Sequence, residues 1–253
     1  MTIRFTSLAS GSRGNALLVE HDETLILIDC GLPLKTLTER LAVVGRKPQD
    51  IDALLVTHEH GDHSRGIGPL QRRYTIPVWT TPGTAHAVRD IESYERLSCR
   101  RELTIGSIHV HAFPVPHDAR EPCQFVFRAG RRRLGVLTDT GHATPVIRES
   151  LAECDALAIE FNHDEYMLEN GSYPESVKAR VGSRYGHLSN EQATGLLRDL
   201  MHSNLQWIVG LHLSERNNTP ERVRASVAGV LDDTGHELVL AAQDEATAWL
   251  DVA

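Results

Sequence analysis

Residues 58 to 63 read His58-Glu59-His60-Gly61-Asp62-His63, five side chains able to bind a metal ion within six positions. The preceding Ala53-Leu54-Leu55-Val56 is short and wholly apolar, the pattern of a buried strand. A polar cluster this dense, directly after a buried strand, restricts the fold. The strand must end at the edge of a sheet, where its loop leaves the core yet stays anchored to it. Imidazole offers a nitrogen lone pair and carboxylate offers oxygens, a mixed set suited to zinc, iron or manganese. In an extended segment, residues two apart point the same way, so His58 and His60 can share one ion. Asp62 and His63, around the bend at Gly61, can reach a second. A merely solvated loop leaves so many ligands unexplained.

The arrangement recurs along the chain. Asp29 follows Leu25-Ile26-Leu27-Ile28, and His117 follows the alternating run Val110 to Val115. Asp139 follows Leu134 to Thr138, His163 follows Leu157 to Glu160, and His212 follows Ile208 to Leu211. One histidine after one strand carries little information. Several of them define one edge of paired sheets. The other elements fit that plan. Thr2 to Leu8 alternates as an edge or half-buried strand does, Pro82 to Ile91 reads as a helix, and Tyr166 to Tyr173 as loop. Ser189-Asn190-Glu191-Gln192 is a capping box opening a helix with Ala193, Leu196, Leu197 and Leu200 on one face. A helix starting at Thr219-Pro220 runs to about Asp233, and Leu238 to Ala242 is expected as the last strand. Strands dominate the first half, and helix and strand alternate in the second. With no repeat and no linker, one domain over residues 1–253, sheets inside and helices outside, is the simplest expectation.

Bulk properties exclude several classes. No apolar run approaches the ~20 residues needed to span a membrane, and Met1 to Phe5 leads straight into a strand with no signal-peptide core. Cys30, Cys99, Cys123 and Cys154 are far apart, which argues for a reducing, cytoplasmic setting. The net charge of -8 is unlike that of a bulk-electrostatic nucleic-acid binder. The clusters Arg72-Arg73, Arg100-Arg101 and Arg131-Arg132-Arg133 read as solvated loops rather than binding patches. Ser10-Gly11-Ser12-Arg13-Gly14-Asn15 lacks the phosphate-loop lysine and leads into a strand.

In order, Asp29-Cys30-Gly31, the HxHxDH stretch from His58 to His63, His117, Asp139 and His212 resemble the motifs of the metallo-beta-lactamase fold. The resemblance implies an α/β, four-layer αββα sandwich with two divalent metal ions (zinc, manganese or iron) at one edge of the sheets. On it, His58, His60 and His117 hold one ion, Asp62, His63 and His212 the other, and Asp139 bridges them. Asp29 braces the histidine loop without binding metal. A metal-bridging hydroxide then serves as nucleophile.

Ser7 to Ser12 with Gly14-Asn15, Pro116-His117-Asp118, Glu160 to Asp164, Gly186 to Asn190, and His212-Leu213-Ser214 with Asn217-Asn218 look like a bacterial exonuclease branch, the YycJ/WalJ type. That resemblance implies a phosphodiesterase, a 5′-to-3′ DNA exonuclease, with DNA as substrate and Asp62 essential to catalysis. Gly186-His187-Leu188-Ser189 is similar to a histidine motif of the fold's phosphodiesterases. It makes His187 the expected phosphate holder or proton donor, with His163 the rival. Because the fold hosts many chemistries, a small-molecule hydrolase acting on a thioester, lactone or lactam is the alternative. A binding protein without catalysis conflicts with the intact ligand set.

Overall fold

The computed structural model describes residues 2–232 and 234–253. The chain opens as an antiparallel meander, β1 (Ile3–Ala9), β2 (Ala16–His21) and β3 (Thr24–Ile28). Three strands then add in parallel: β4 (Ala53–Leu55), β5 (Val78–Thr80) and β6 (Glu95–Arg96). The second sheet repeats the plan. β7 (Leu103–Ile105), β8 (Ile108–Pro114), β9 (Cys123–Ala129) and β10 (Arg132–Leu137) are antiparallel. β11 (Ala156–Glu160), β12 (Trp207–Leu211) and β13 (Leu238–Leu240) follow in parallel. Finally β14 (Leu250–Val252) returns to the first sheet beside β1, pairing Val252 with Ile3.

The helices are α1 (Leu34–Val43), α2 (Gly61–Ser64), α3 (Ile67–Tyr74), α4 (Pro82–Ala87), α5 (Pro145–Leu151), α6 (Glu165–Asn170), α7 (Glu175–Val181), α8 (Asn190–Leu200) and α9 (Pro220–Leu231). Strand periodicity sorts the side chains into layers. On β11, Ala156 and Ala158 join Phe5, Ile26, Phe125 and Val209 between the sheets, while Leu157 and Ile159 face the helices. Both faces of the strand are covered, so it is apolar as far as its last residue, Glu160, and its small residues sit where the sheets meet. Leu196 and Leu197 of α8 and Val223 of α9 cover the second sheet, and Leu37 of α1 and Leu70 of α3 cover the first. The result is the expected αββα sandwich. Truncating Leu197, which is fully buried, to alanine costs about 2–5 kcal/mol.

Several expectations need correcting. β1 is interior: only Arg4 is not buried, because β14 covers the edge that the alternating pattern suggested. Leu238–Leu240 is therefore not the last strand. The helix from Pro82 stops at Ala87. The stretch Tyr166 to Tyr173 contains most of α6, capped where Asp164 Oδ1 accepts the Met167 N–H at 2.9 Å. Asp233, the expected end of α9, lies outside the described residues. The capping box is present, with Ser189 and Gln192 each accepting the other's backbone N–H.

Candidate metal centre

Three strands deliver their site residue through the same backbone irregularity. Asp29 (φ 58°), Asp139 (φ 50°) and His212 (φ 54°), just beyond β3, β10 and β12, are all left-handed. That conformation is unfavourable for a residue with a Cβ, and such strain clusters at functional sites. It turns each side chain out of the sheet toward a common point.

The loop after β4 is pinned from two sides. The Asn15 N–H donates to the Asp62 carbonyl at 2.8 Å, and the Cys30 N–H to the His63 carbonyl at 2.8 Å. A Cβ on Gly31 would fall 1.6 Å from the Asp62 carbonyl oxygen, so only glycine permits this approach. Gly61 opens the helical turn α2, which carries Asp62 and His63. Asp29 braces the loop: its Oδ1 accepts the Thr57 N–H at 2.8 Å, and its Oδ2 lies 2.7 Å from His63 Nδ1.

Seven of the expected residues converge. Donor atoms of His58, His60 and His117 lie within 4.8 Å of one another, as do those of Asp62, His63 and His212. Asp139 sits between the groups, with Oδ2 3.1 Å from His63 Nε2, and Oδ1 3.6 Å from His212 Nε2 and 3.9 Å from His117 Nε2. His117 Nδ1 faces the Gly186 carbonyl at 3.0 Å, which can only accept, so its Nε2 carries the lone pair. His58 Nε2 is fully buried with no hydrogen-bond partner among the described residues. An orphaned buried nitrogen among acceptors is a place where a cation fits.

Charge is strongly coupled here. Burial pushes His58 and His117 down from the ordinary imidazole value, with His63 opposing a proton on His58. Burial also opposes charge on His212, but Asp139, Asp62 and Glu160 outweigh it and push the ring up to about 9. His63 is raised well above its usual value by Asp139, Asp29 and Asp62, again against burial. Asp62 and Asp139 are held well below the carboxylate range by His63 and His212, although burial works the other way.

His187 and His163 part company. His187, Asp62, Asp139 and His212 line one cavity of about 310 Å³. There His187 Nδ1 lies 2.7 Å from Glu160 Oε1, and its ring stacks on His212 at 5.3 Å. Burial opposes its charge, but Glu160 and then Asp139 raise its pKa. His163 is buried and lines a neighbouring cavity with Glu165, Glu169 and Lys178. Burial lowers it to about 4. Glu160 went unremarked as a site residue. It is fully buried at the end of β11 and accepts the Thr140 and Leu188 N–H groups at 3.2 and 3.1 Å. The available signal was a carboxylate closing an otherwise apolar strand, which burial penalises unless partners are waiting.

Three members of the arginine clusters are tied into the structure. Arg132 pairs with Asp155 at 2.7 Å, Arg133 donates to the Ser150 carbonyl at 3.1 Å, and Arg72 pairs with Asp90 at 2.7 Å. A larger cavity, about 470 Å³, lies by α5 and contains none of the expected site residues. Size alone does not mark the chemistry.

Known proteins provide an independent reading. The family described as Beta-lactamase superfamily domain matches residues 24–208. The chain is 37% identical over 241 residues to Exodeoxyribonuclease YycJ of Bacillus anthracis, covering 93% of this chain and 91% of that protein. It is 35% identical over 237 residues to Exodeoxyribonuclease WalJ of Streptococcus pneumoniae, covering 90% and 88%. The metallo-beta-lactamase fold protein YhfI from Bacillus subtilis superposes with a TM-score of 0.75 at 15% identity, over 98% of this chain and 99% of that one. Layer order, strand-end histidines and family match agree, and the chain belongs to the beta-lactamase superfamily, in its metallo-beta-lactamase fold.

Proposed function

We propose that this chain is a metal-dependent phosphodiesterase, and specifically a 5′-to-3′ DNA exonuclease that uses two divalent cations. One observation carries the metal part: seven histidine and aspartate side chains form overlapping clusters of donor atoms, and the buried Nε2 of one of them, His58, has no hydrogen-bond partner among the described residues. His58, His60 and His117 would hold one cation, and Asp62, His63 and His212 the other, with Asp139 shared. The donors are imidazole and carboxylate without thiolate, which suits zinc, manganese or iron. Bound there, such cations lower the pKa of water toward neutrality and neutralise phosphate charge. The nucleic-acid part is supported by the two relatives, both named as exodeoxyribonucleases.

The chain's own residues divide the remaining work. Asp29 keeps the Nδ1 proton on His63, so that Nε2 is the binding atom. Glu160 fixes the ring of His187 in the cavity wall, where His187 would hold a non-bridging phosphate oxygen or protonate the leaving oxygen. His163 faces the neighbouring cavity and takes no part in this reading. The free cysteines suit a cytoplasmic setting.

The test is digestion of end-labelled DNA with zinc, manganese or iron(II) added separately, against thioester and nitrocefin substrates. Ordered loss of nucleotides from the 5′ end with at least one metal is expected. Turnover of the thioester or nitrocefin with no DNA cleavage by any metal would assign the site to small-molecule hydrolysis instead.

A further inference from the structure

The cavity of His187 and Asp139 has one lysine or arginine in its lining, Arg180 near the end of α7. Its Nε donates to Asp118 Oδ2, and its two terminal nitrogens have no hydrogen-bond partner among the described residues. The Arg180 side chain is 61% exposed and that of Asp118 31%. Asp118 follows His117 directly. Its other oxygen, Oδ1, lies 3.4 Å from His117 Nε2 and 3.8 Å from His60 Nε2. The carboxylate therefore stands between the histidine cluster and the guanidinium.

The backbone keeps this arrangement in register with His187. The Asp118 N–H donates to the Tyr185 carbonyl at 2.9 Å, and the His187 N–H to the Val181 carbonyl at 2.9 Å. A Cβ on Gly186 would meet the Val181 carbonyl oxygen at 2.1 Å, so the turn from α7 to His187 is closed tightly. Arg180 is thus carried on a backbone tied to His117 on one side and His187 on the other.

We propose that Arg180 binds a phosphate oxygen of the substrate strand, exchanging Asp118 for it, so that the Asp118–Arg180 pair is a latch opened by phosphate. A solvent-accessible ion pair contributes little stability and is easily exchanged. A phosphate oxygen pair matches the planar fork of a guanidinium and makes shorter, stronger hydrogen bonds. Asp118, once released, remains beside His117 and His60, where a cation would attract it. Arg180 is the cavity's own counter-charge to a polyanion in a chain of net charge -8. The inference rests on the phosphodiesterase reading above and adds the residue that recognises phosphate.

The test is binding of thymidine 5′-monophosphate to the zinc-loaded protein by calorimetry, with zinc content measured for each variant. Arg180→Ala should weaken binding about tenfold or more at unchanged zinc content. Arg180→Lys should recover only part of it, because an ammonium cannot reproduce the fork. Asp118→Ala should tighten binding by freeing Arg180. On DNA, Arg180→Ala should raise KM more than it lowers kcat. Wild-type affinity in Arg180→Ala, or a loss explained entirely by lost zinc, would overturn the latch. Those results with DNA cleavage intact would overturn the latch alone. A wild-type protein that binds the nucleotide through Arg180 but cleaves no phosphodiester would overturn the functional reading and leave the phosphate site standing.

Discussion

Asp29 Oδ2 and His63 Nδ1 lie 2.7 Å apart, fully buried, though 34 residues separate them in the chain. The ionised carboxylate only accepts, so this contact keeps a proton on Nδ1 and aims the other ring nitrogen, Nε2, at Asp139, 3.1 Å away.

Asp29→Ala should therefore weaken the binding of one cation by about 10–100-fold. It also strands the Thr57 backbone N–H and the ring Nδ1–H of His63 in the interior, at a cost of about 1–3 kcal/mol for each unmet donor. Metal titration and thermal unfolding of the variant check both effects. Full metal affinity would mean that His63 is not a ligand.

Asp139→Ala should lose both cations, because Asp139 touches both histidine groups. His212→Ala should weaken mainly one. Elemental analysis after gel filtration decides. An Asp139→Ala protein with two metals per chain would break the shared-carboxylate assignment.

Asp62→Ala should abolish cleavage of DNA while circular dichroism and melting stay near wild type, since Asp62 lies in the cavity wall and not in a hydrophobic cluster. Undiminished cleavage would point to a contaminating nuclease or another mechanism.

His187→Ala should retain its metals and lose on the order of 10²–10⁴-fold in rate on DNA. The deficit should shrink on a p-nitrophenyl ester, whose leaving group needs no proton. Loss of metal instead would make His187 a ligand, as its proximity to Asp139, Glu160 and His212 allows.

Metal-free protein should become less stable between about pH 6.5 and 9. The His212 pKa is raised on folding to about 9, so the folded state binds the extra proton in that window. Stability from this ring is complete below about 6.5 and is lost as pH rises through about 9, by on the order of a few kcal/mol. Cation binding at His212 and His63 should accordingly release protons. Calorimetry in buffers of different ionisation enthalpy measures that release, and chemical denaturation across the window measures the stability. A flat stability profile would show that His212 is neutral in the metal-free state.

Much of this architecture was legible because its causes are local. The ligand density of residues 58–63 and the apolar runs before Asp29, His58, Asp139 and His212 sit within a few positions of one another, as does the Ser189–Gln192 capping box. Strand-end placement of these residues needed only local periodicity. The four-layer sandwich followed from apolar strands that must be covered on both faces.

What the tertiary structure alone decided is of another kind. Strands β6, β7 and β14, of two or three residues each, are too short to show a period and exist because a neighbouring strand supplies their partners. β1 became interior only when residues 250–252 reached its free edge. His187 is the expected proton donor and His163 its rival on motif alone, and backbone hydrogen bonds from distant segments turn them into different cavities. The Glu160–His187 contact and the Arg180–Asp118 pair join residues 27 and 62 positions apart. A sequence states which side chains are available within a helical turn or a strand repeat. Which buried carboxylate meets which ring depends on how the layers close, and the free energy of that closure is spread over the whole core.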